Sequence, residues 1–169
     1  MFTLSHNTYI KTVAILFATV FFSCQDNYDD IKRMQRVSLE PAGIAEHMNL
    51  KHTDSGKVIL HLISDKMMDF SNKEFSYTTF PKGLEVHLFN DKQQQTTITS
   101  DYAIIYSETD LIDLRGHVKI VTHDGKTLQA EQLYYDQKTE WIFTNDEYKY
   151  EAEDGGYNIG KGGFDANQD

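Results

Sequence analysis

The residues of this chain that could do chemistry are seven histidines, one cysteine and a surplus of carboxylates, 26 Asp plus Glu against 16 Lys plus Arg. A zinc site needs ligands at short paired spacings, such as two histidines four apart on one helix face. His61, His87 and His117 fall singly in stretches of period two, and His123 falls in a turn, so they read as exposed strand residues. Glu151 and Glu153 share a strand face. In so acidic a chain a solvated face accounts for them better than an acid–base pair. The stretch GYNIGKGG at 156–163 looks like a phosphate-binding loop at first sight. It has three residues where that loop needs four, no Ser or Thr after its Lys, and no helix to follow. No serine sits in a G-x-S-x-G elbow. The chain is therefore not expected to be an enzyme or to hold a metal or cofactor. Tyr134, Trp141 and Phe143 fall on the phase opposite to Leu133, Tyr135 and Ile142. They are either a contact surface or packing beneath a loop or second sheet.

The elements that would position these residues are strands. In residues 114–146, Val118 and Ile120 share one face, Asp124-Gly125 makes a hairpin turn, and Leu128 and Ala130 continue the alternation. Leu133 with Tyr135 and Ile142 with Thr144 repeat it. The unit recurs at an offset of 30: the segment beginning Ser100-Asp101-Tyr102 aligns with Ala130-Glu131-Gln132, and Val118 and Ile120 align with Tyr148 and Tyr150. A fixed period of this size means stacked units, none able to bury its apolar face alone. Upstream, Leu84, Val86 and Leu88 alternate, Phe75 and Tyr77 mark a strand, and 80–83 is a turn. Between 58 and 63 both faces are apolar, as expected of a strand covered on both sides or lying at an interface. Residues 41–52 read as either a short helix or continuing linker, and 165–169 as a polar tail. The fold class is all-β, one domain of roughly 12 to 16 short antiparallel strands.

The net charge of −10 disfavours nucleic acid and anionic membrane surfaces as partners. The single cysteine rules out an intramolecular disulfide. Near the N-terminus, residues 12–22 form an apolar run of 11, too short to span a bilayer comfortably but suited to the core of a secretory signal. Ser23-Cys24 follows directly. A small residue before the lone Cys resembles a lipobox, although Phe21 and Phe22 depart from its usual pattern. The competing reading is an uncleaved anchor. Lipidation is preferred because two or more acyl chains hold a protein stably where a marginal helix would not. Residues 1–23 are thus expected to be a signal or anchor, 24–53 a lipidated tether, 54–164 the β-domain and 165–169 the tail.

The pattern formed by Leu114, Gly116, Val118 and Ile120, then Asp124-Gly125, Leu128, Ala130, Leu133 and Tyr135, then Ile142, Thr144 and Asn145, resembles the LptC family and the related OstA/LptA strand repeats. The resemblance covers about residues 54–164 and is carried by the order of many weak motifs. It implies a twisted β-jellyroll, anchored to the inner membrane and facing the periplasm. It implies a role in lipopolysaccharide export: lipid A acyl chains come from an inner-membrane Lpt ABC transporter and pass to an LptA-like jellyroll. Val86, Leu88, Ile98, Ile105, Leu114, Val118, Ile120, Leu128, Leu133, Tyr135 and Ile142 would then line the lipid groove. Val58, Leu60 and Leu62 would lie on the edge facing the transporter, and Tyr157, Ile159 and Phe164 on the edge facing the bridge protein. The binary pattern alone fits an open groove and a closed core equally. A surface lipoprotein with an adhesive or glycan-binding sandwich is the alternative. If Cys24 carries the anchor, Cys24→Ala abolishes acyl labelling and leaves the precursor unprocessed; identical mass and membrane fraction in mutant and wild type would mean a helical anchor.

Overall fold

The computed structural model describes residues 40–167, and among these every regular element is a strand. In chain order they are β1 (Gly43–Asp54), β2 (Lys57–Asp69), β3 (Tyr77–Phe80), β4 (Leu84–Phe89), β5 (Gln95–Ser100), β6 (Tyr102–Tyr106), β7 (Leu111–Val121), β8 (Thr127–Asp136), β9 (Trp141–Thr144), β10 (Tyr148–Glu151), β11 (Tyr157–Gly160) and β12 (Phe164–Asn167). All pairings are antiparallel within one continuous sheet.

That sheet is folded into two leaves, and the register shows how. β2 pairs with β4 through residues 60–63 but with β3 through Met68 and Asp69. β7 pairs with β6 through residues 111–115 and with β5 through residues 119–121. β8 divides likewise between β10 and β9. One leaf therefore holds β4, β5, β10 and β11, and the other holds β3, β6, β9 and β12. The long strands β1, β2, β7 and β8 run through both. Each traverse of the two leaves is a rib, made either of one long strand or of two short strands joined at the fold line. The 30-residue sequence offset is two ribs: β6 and the matching part of β8 lie in one leaf with β7 between them.

Local chemistry places the fold line. In β7 the register against β8 slips between Arg115 and Val118, and Gly116 and His117 both take positive φ, 71° and 45°. One extra residue in one strand bends and twists the ladder, and Gly supplies the left-handed conformation cheaply. Asp101, between β5 and β6, donates its N–H to the Gly116 carbonyl at 3.0 Å, and its Oδ2 lies 2.6 Å from His117 Nδ1. That carboxylate, with Glu131 beyond it, raises the His117 pKa above the ordinary imidazole value.

Three expectations change here. Residues 43–52, read as helix or linker inside a tether ending at 53, belong to β1, which pairs with β2 along its length. Its signal is weak because it has a ladder on one side only and most of its side chains are exposed. Asp165 to Asn167, read as tail, form part of β12 and pair with β9. The expected strand at Phe75 starts later, at Tyr77, and Phe75 itself lies in the preceding turn, largely exposed.

Candidate functional site: an apolar wedge between two leaves

Cross-strand register brings the apolar residues of successive ribs into rows. In one leaf Val86 faces Ile98, Ile98 faces Ile120 and Ile120 faces Leu128. In the other, Ile105 faces Ile112, Ile112 faces Tyr135 and Tyr135 faces Ile142. Leu114 faces Leu133, and Val118 faces Ala130 one bulge further along. Leu88 completes its row opposite Leu60 and Thr96. All eleven residues expected to line a groove thus lie on the inner phase of the two leaves.

Their burial is graded along each rib. Next to the fold line, Leu62, Leu84, Val118 and Ala130 of one leaf and Phe80, Ala103, Leu114 and Leu133 of the other are buried; Ala103, Val118 and Leu133 are at most 1% exposed. One step toward the hairpins, Leu60, Val86, Ile98, Ile120 and Leu128, with Ile105, Ile112 and Ile142 opposite, are only partly buried while packing on that cluster. Leu88 and Tyr135 are also partly exposed. A closed sandwich would cover both rows alike. Here the leaves meet at the fold line and leave the next row half covered, as in a wedge. Phe80, Leu84, Ala103, Met48 and Met67 join this interior although they were not among the expected lining. Phe80 falls in the stretch expected to turn, and Met48 in the one expected to be helix or linker. Ser100, opposite Leu84, is buried with its hydroxyl unpartnered, the one such side-chain atom among the described residues.

The outward phase carries polar and aromatic clusters. Asp113 is 1% exposed, and its carboxylate accepts from Arg115 Nε at 2.9 Å, Arg115 Nη2 at 2.5 Å and Gln132 Nε2 at 2.8 Å. This satisfies a buried charge, as such a group requires. Sequence alone missed it because Gln132 is 19 residues away. Tyr134 stacks on Phe143 at 5.0 Å and Phe70 on Tyr77 at 4.7 Å. The Tyr134–Phe143 stack thus accounts for two of the three aromatics on the outer phase, and Trp141 stays partly exposed. His61 and His87 face each other across β2 and β4 with ring centroids 5.6 Å apart. Their ring nitrogens contact Asn49, Thr97, Gln95 and Glu85. No group of three or more metal-ligating side chains occurs among the described residues.

Residues 11–162 match the family described as lipopolysaccharide-assembly, LptC-related. The chain belongs to this family. A search of curated proteins finds no match. Membership assigns the LptC-related chain to lipopolysaccharide transport, in a periplasmic family of transport and bridging proteins of the cell envelope that work with lipopolysaccharide and other Lpt components.

The edges of this LptC-related sheet differ from expectation on one side. Val58, Leu60 and Leu62 lie on β2 and all three pair with β1; Leu60 and Leu62 also pair with β4 on the other flank, and Leu62 is in the buried cluster. β2 is therefore not the edge strand of the sheet. The free edge there is β1, with Ile44 and Leu50 exposed. At the opposite end Tyr157 and Ile159 of β11 are exposed, and Phe164 of β12 is half-buried against the core. No helix among the described residues is long and apolar enough to cross a membrane; residues 12–22 and Cys24 lie outside them. The graded burial is measurable without lipid. Leu133→Ala should cost about 2–5 kcal/mol in urea unfolding, and Leu128→Ala, already partly exposed, about 1–2 kcal/mol; equal losses would mean a closed core.

Proposed function

We propose that this LptC-related chain is the membrane-anchored periplasmic component that receives lipid A acyl chains from an inner-membrane ABC transporter and passes them to an LptA-like jellyroll. The observation that carries this reading is the half-covered apolar row one step out from the fold line, running through Val86, Ile98, Ile120 and Leu128 and, opposite, Ile105, Ile112, Tyr135 and Ile142. Burying a methylene there stabilises by about 0.8 kcal/mol, and a lining covered on one side lets the chain leave again. The process needs no catalyst: tails exchange one apolar surface for another. An adhesive sandwich would have no use for a half-open interior. Lipidation at Cys24 is the proposed anchor.

The edges supply the coupling between modules. β1 and β11–β12 each end a leaf, and free edges are where strand addition occurs. The Ala152 N–H donates to the Gly156 carbonyl at 2.7 Å. Antiparallel pairs alternate between bonded and non-bonded, so the N–H groups of Tyr157 and Ile159 point away from β10 and that of Asn158 toward it.

With a photocrosslinker at Ile120 or Leu128, in the partly covered row, lipopolysaccharide is captured, whereas at Lys119 or Gln132, on the outer phase, it is not. Equal capture from both phases would refute the groove. For the edge, Ile159→Pro removes an outward donor and should weaken pull-down of the acceptor jellyroll roughly tenfold with an unchanged melting curve. Asn158→Pro should lower the melting temperature instead. Full binding by Ile159→Pro would remove β11 from the interface.

A further inference from the structure

The last rib is poorly furnished inside. On β11 and β12 the residues opposite the inner rows of β10 and β9 are Asn158, Gly160, Phe164 and Ala166. Only Phe164 is large and apolar. Tyr148 compensates from the preceding rib. It stands on β10 opposite Gly160, and its ring lies over that glycine: a Cβ at residue 160 would fall inside the van der Waals shell of Tyr148 Cε1, Cζ and Oη. Leaning across Gly160, the ring reaches Phe164 of the opposite leaf, with centroids 4.7 Å apart and a 58° tilt. Phe164 in turn packs on the buried cluster. No ladder joins β10–β11 to β9–β12 among the described residues; the chain connects the leaves there only through the links at 145–147 and 161–163.

We propose that Tyr148 and Phe164 form an aromatic clasp that retains acyl chains in the wedge until the distal edge takes on its partner, with Gly160 as the space into which the Tyr148 ring folds. The inference rests on the acyl-groove reading and deepens it. A tilted ring pair is a weak, directional contact, strong enough to hold two leaves together locally and weak enough to part. Strand addition on β11 acts on the backbone that carries Gly160, directly beneath the ring. Once the rings separate, the small and polar side chains of the last rib offer an alkyl chain little to hold it.

The test uses the full chain carrying a photocrosslinker at Ile120, loaded with lipopolysaccharide and then mixed with excess detergent micelles, with remaining capture followed over time. Tyr148→Ala and Phe164→Ala should each speed loss about three- to tenfold, the change that corresponds to one aromatic pair. Gly160→Ala, which displaces the ring without removing it, should do the same, and Tyr148→Phe should restore the wild-type rate. The decisive arm is the double variant Gly160→Ala with Tyr148→Ala, which should be no faster than Tyr148→Ala alone. Phe70→Ala, which removes the outward-facing Phe70–Tyr77 stack in an early rib, should leave the rate within twofold. A wild-type rate in Tyr148→Ala, additive effects in the double variant, or equal leakage from Phe70→Ala would each overturn the clasp. Failure of the wild type to capture lipopolysaccharide at Ile120 would instead refute the acyl reading, so the two failures are distinguishable.

Discussion

Everything in this sheet depends on backbones passing within contact of one another along the fold line. Gly83 takes φ +79°, and a Cβ there would lie 2.5 Å from the Ser100 carbonyl oxygen. One rib on, a Cβ at Gly116 would lie 2.9 Å from Asp101 Oδ2. The Ser64 hydroxyl donates to the Gly83 carbonyl at 2.7 Å from the other side. Bare backbone at these points lets two leaves share strands while the first inner row seals completely. A side chain there would push successive ribs apart, and the row from Leu62 to Leu133 would lose its close packing. The wedge is thus set at its apex: tight contact where Ala103 and Val118 sit, and divergence beyond.

The same constraint explains what could be read from the residues alone. Period-two alternation identified the strands around Val86, Ile98, Ile120 and Leu133 because each has one face inward and one outward. The 30-residue offset was visible because two ribs take about that many residues wherever they start. Neighbour relations were not visible. Residues 58–63 are apolar on both faces, yet nothing local reveals that the strand's flanking neighbour is β1, whose polar residues resemble a linker. The bend at Gly116–His117 leaves the alternation of Val118 and Ile120 intact, so nothing in the pattern marks β7 as bent in the middle. Nothing local sets Asp113 apart from the other carboxylates either; its burial depends on Arg115 and on Gln132 of the adjacent strand.

The chemistry of the surfaces divides along the same phases. Inward positions are mostly aliphatic or aromatic, with uncharged polar residues such as Ser64, Ser100 and Thr144 among them, whereas charge is kept to the outer phase and the turns, as in the Lys126–Asp124 pair at a hairpin tip. There hydrogen bonds from Lys126 and then Thr122 hold the Asp124 carboxyl far below its ordinary range. An interior without ionised groups discriminates by hydrocarbon content alone, which suits a carrier for acyl chains whose polar head stays in water.

Ribs made of one unbroken strand and ribs made of two jointed halves alternate in pairs: β1 and β2 are continuous, β3–β4 and β5–β6 are interrupted at the fold line, β7 and β8 are continuous, and β9–β10 and β11–β12 are interrupted again. A continuous ladder resists bending, and an interruption acts as a joint. The first jointed pair is braced by continuous strands on both sides, β2 and β7, whereas the second is braced by β8 alone. The joint at the β11–β12 end of the described sheet is therefore the more compliant of the two, and the same load widens it most.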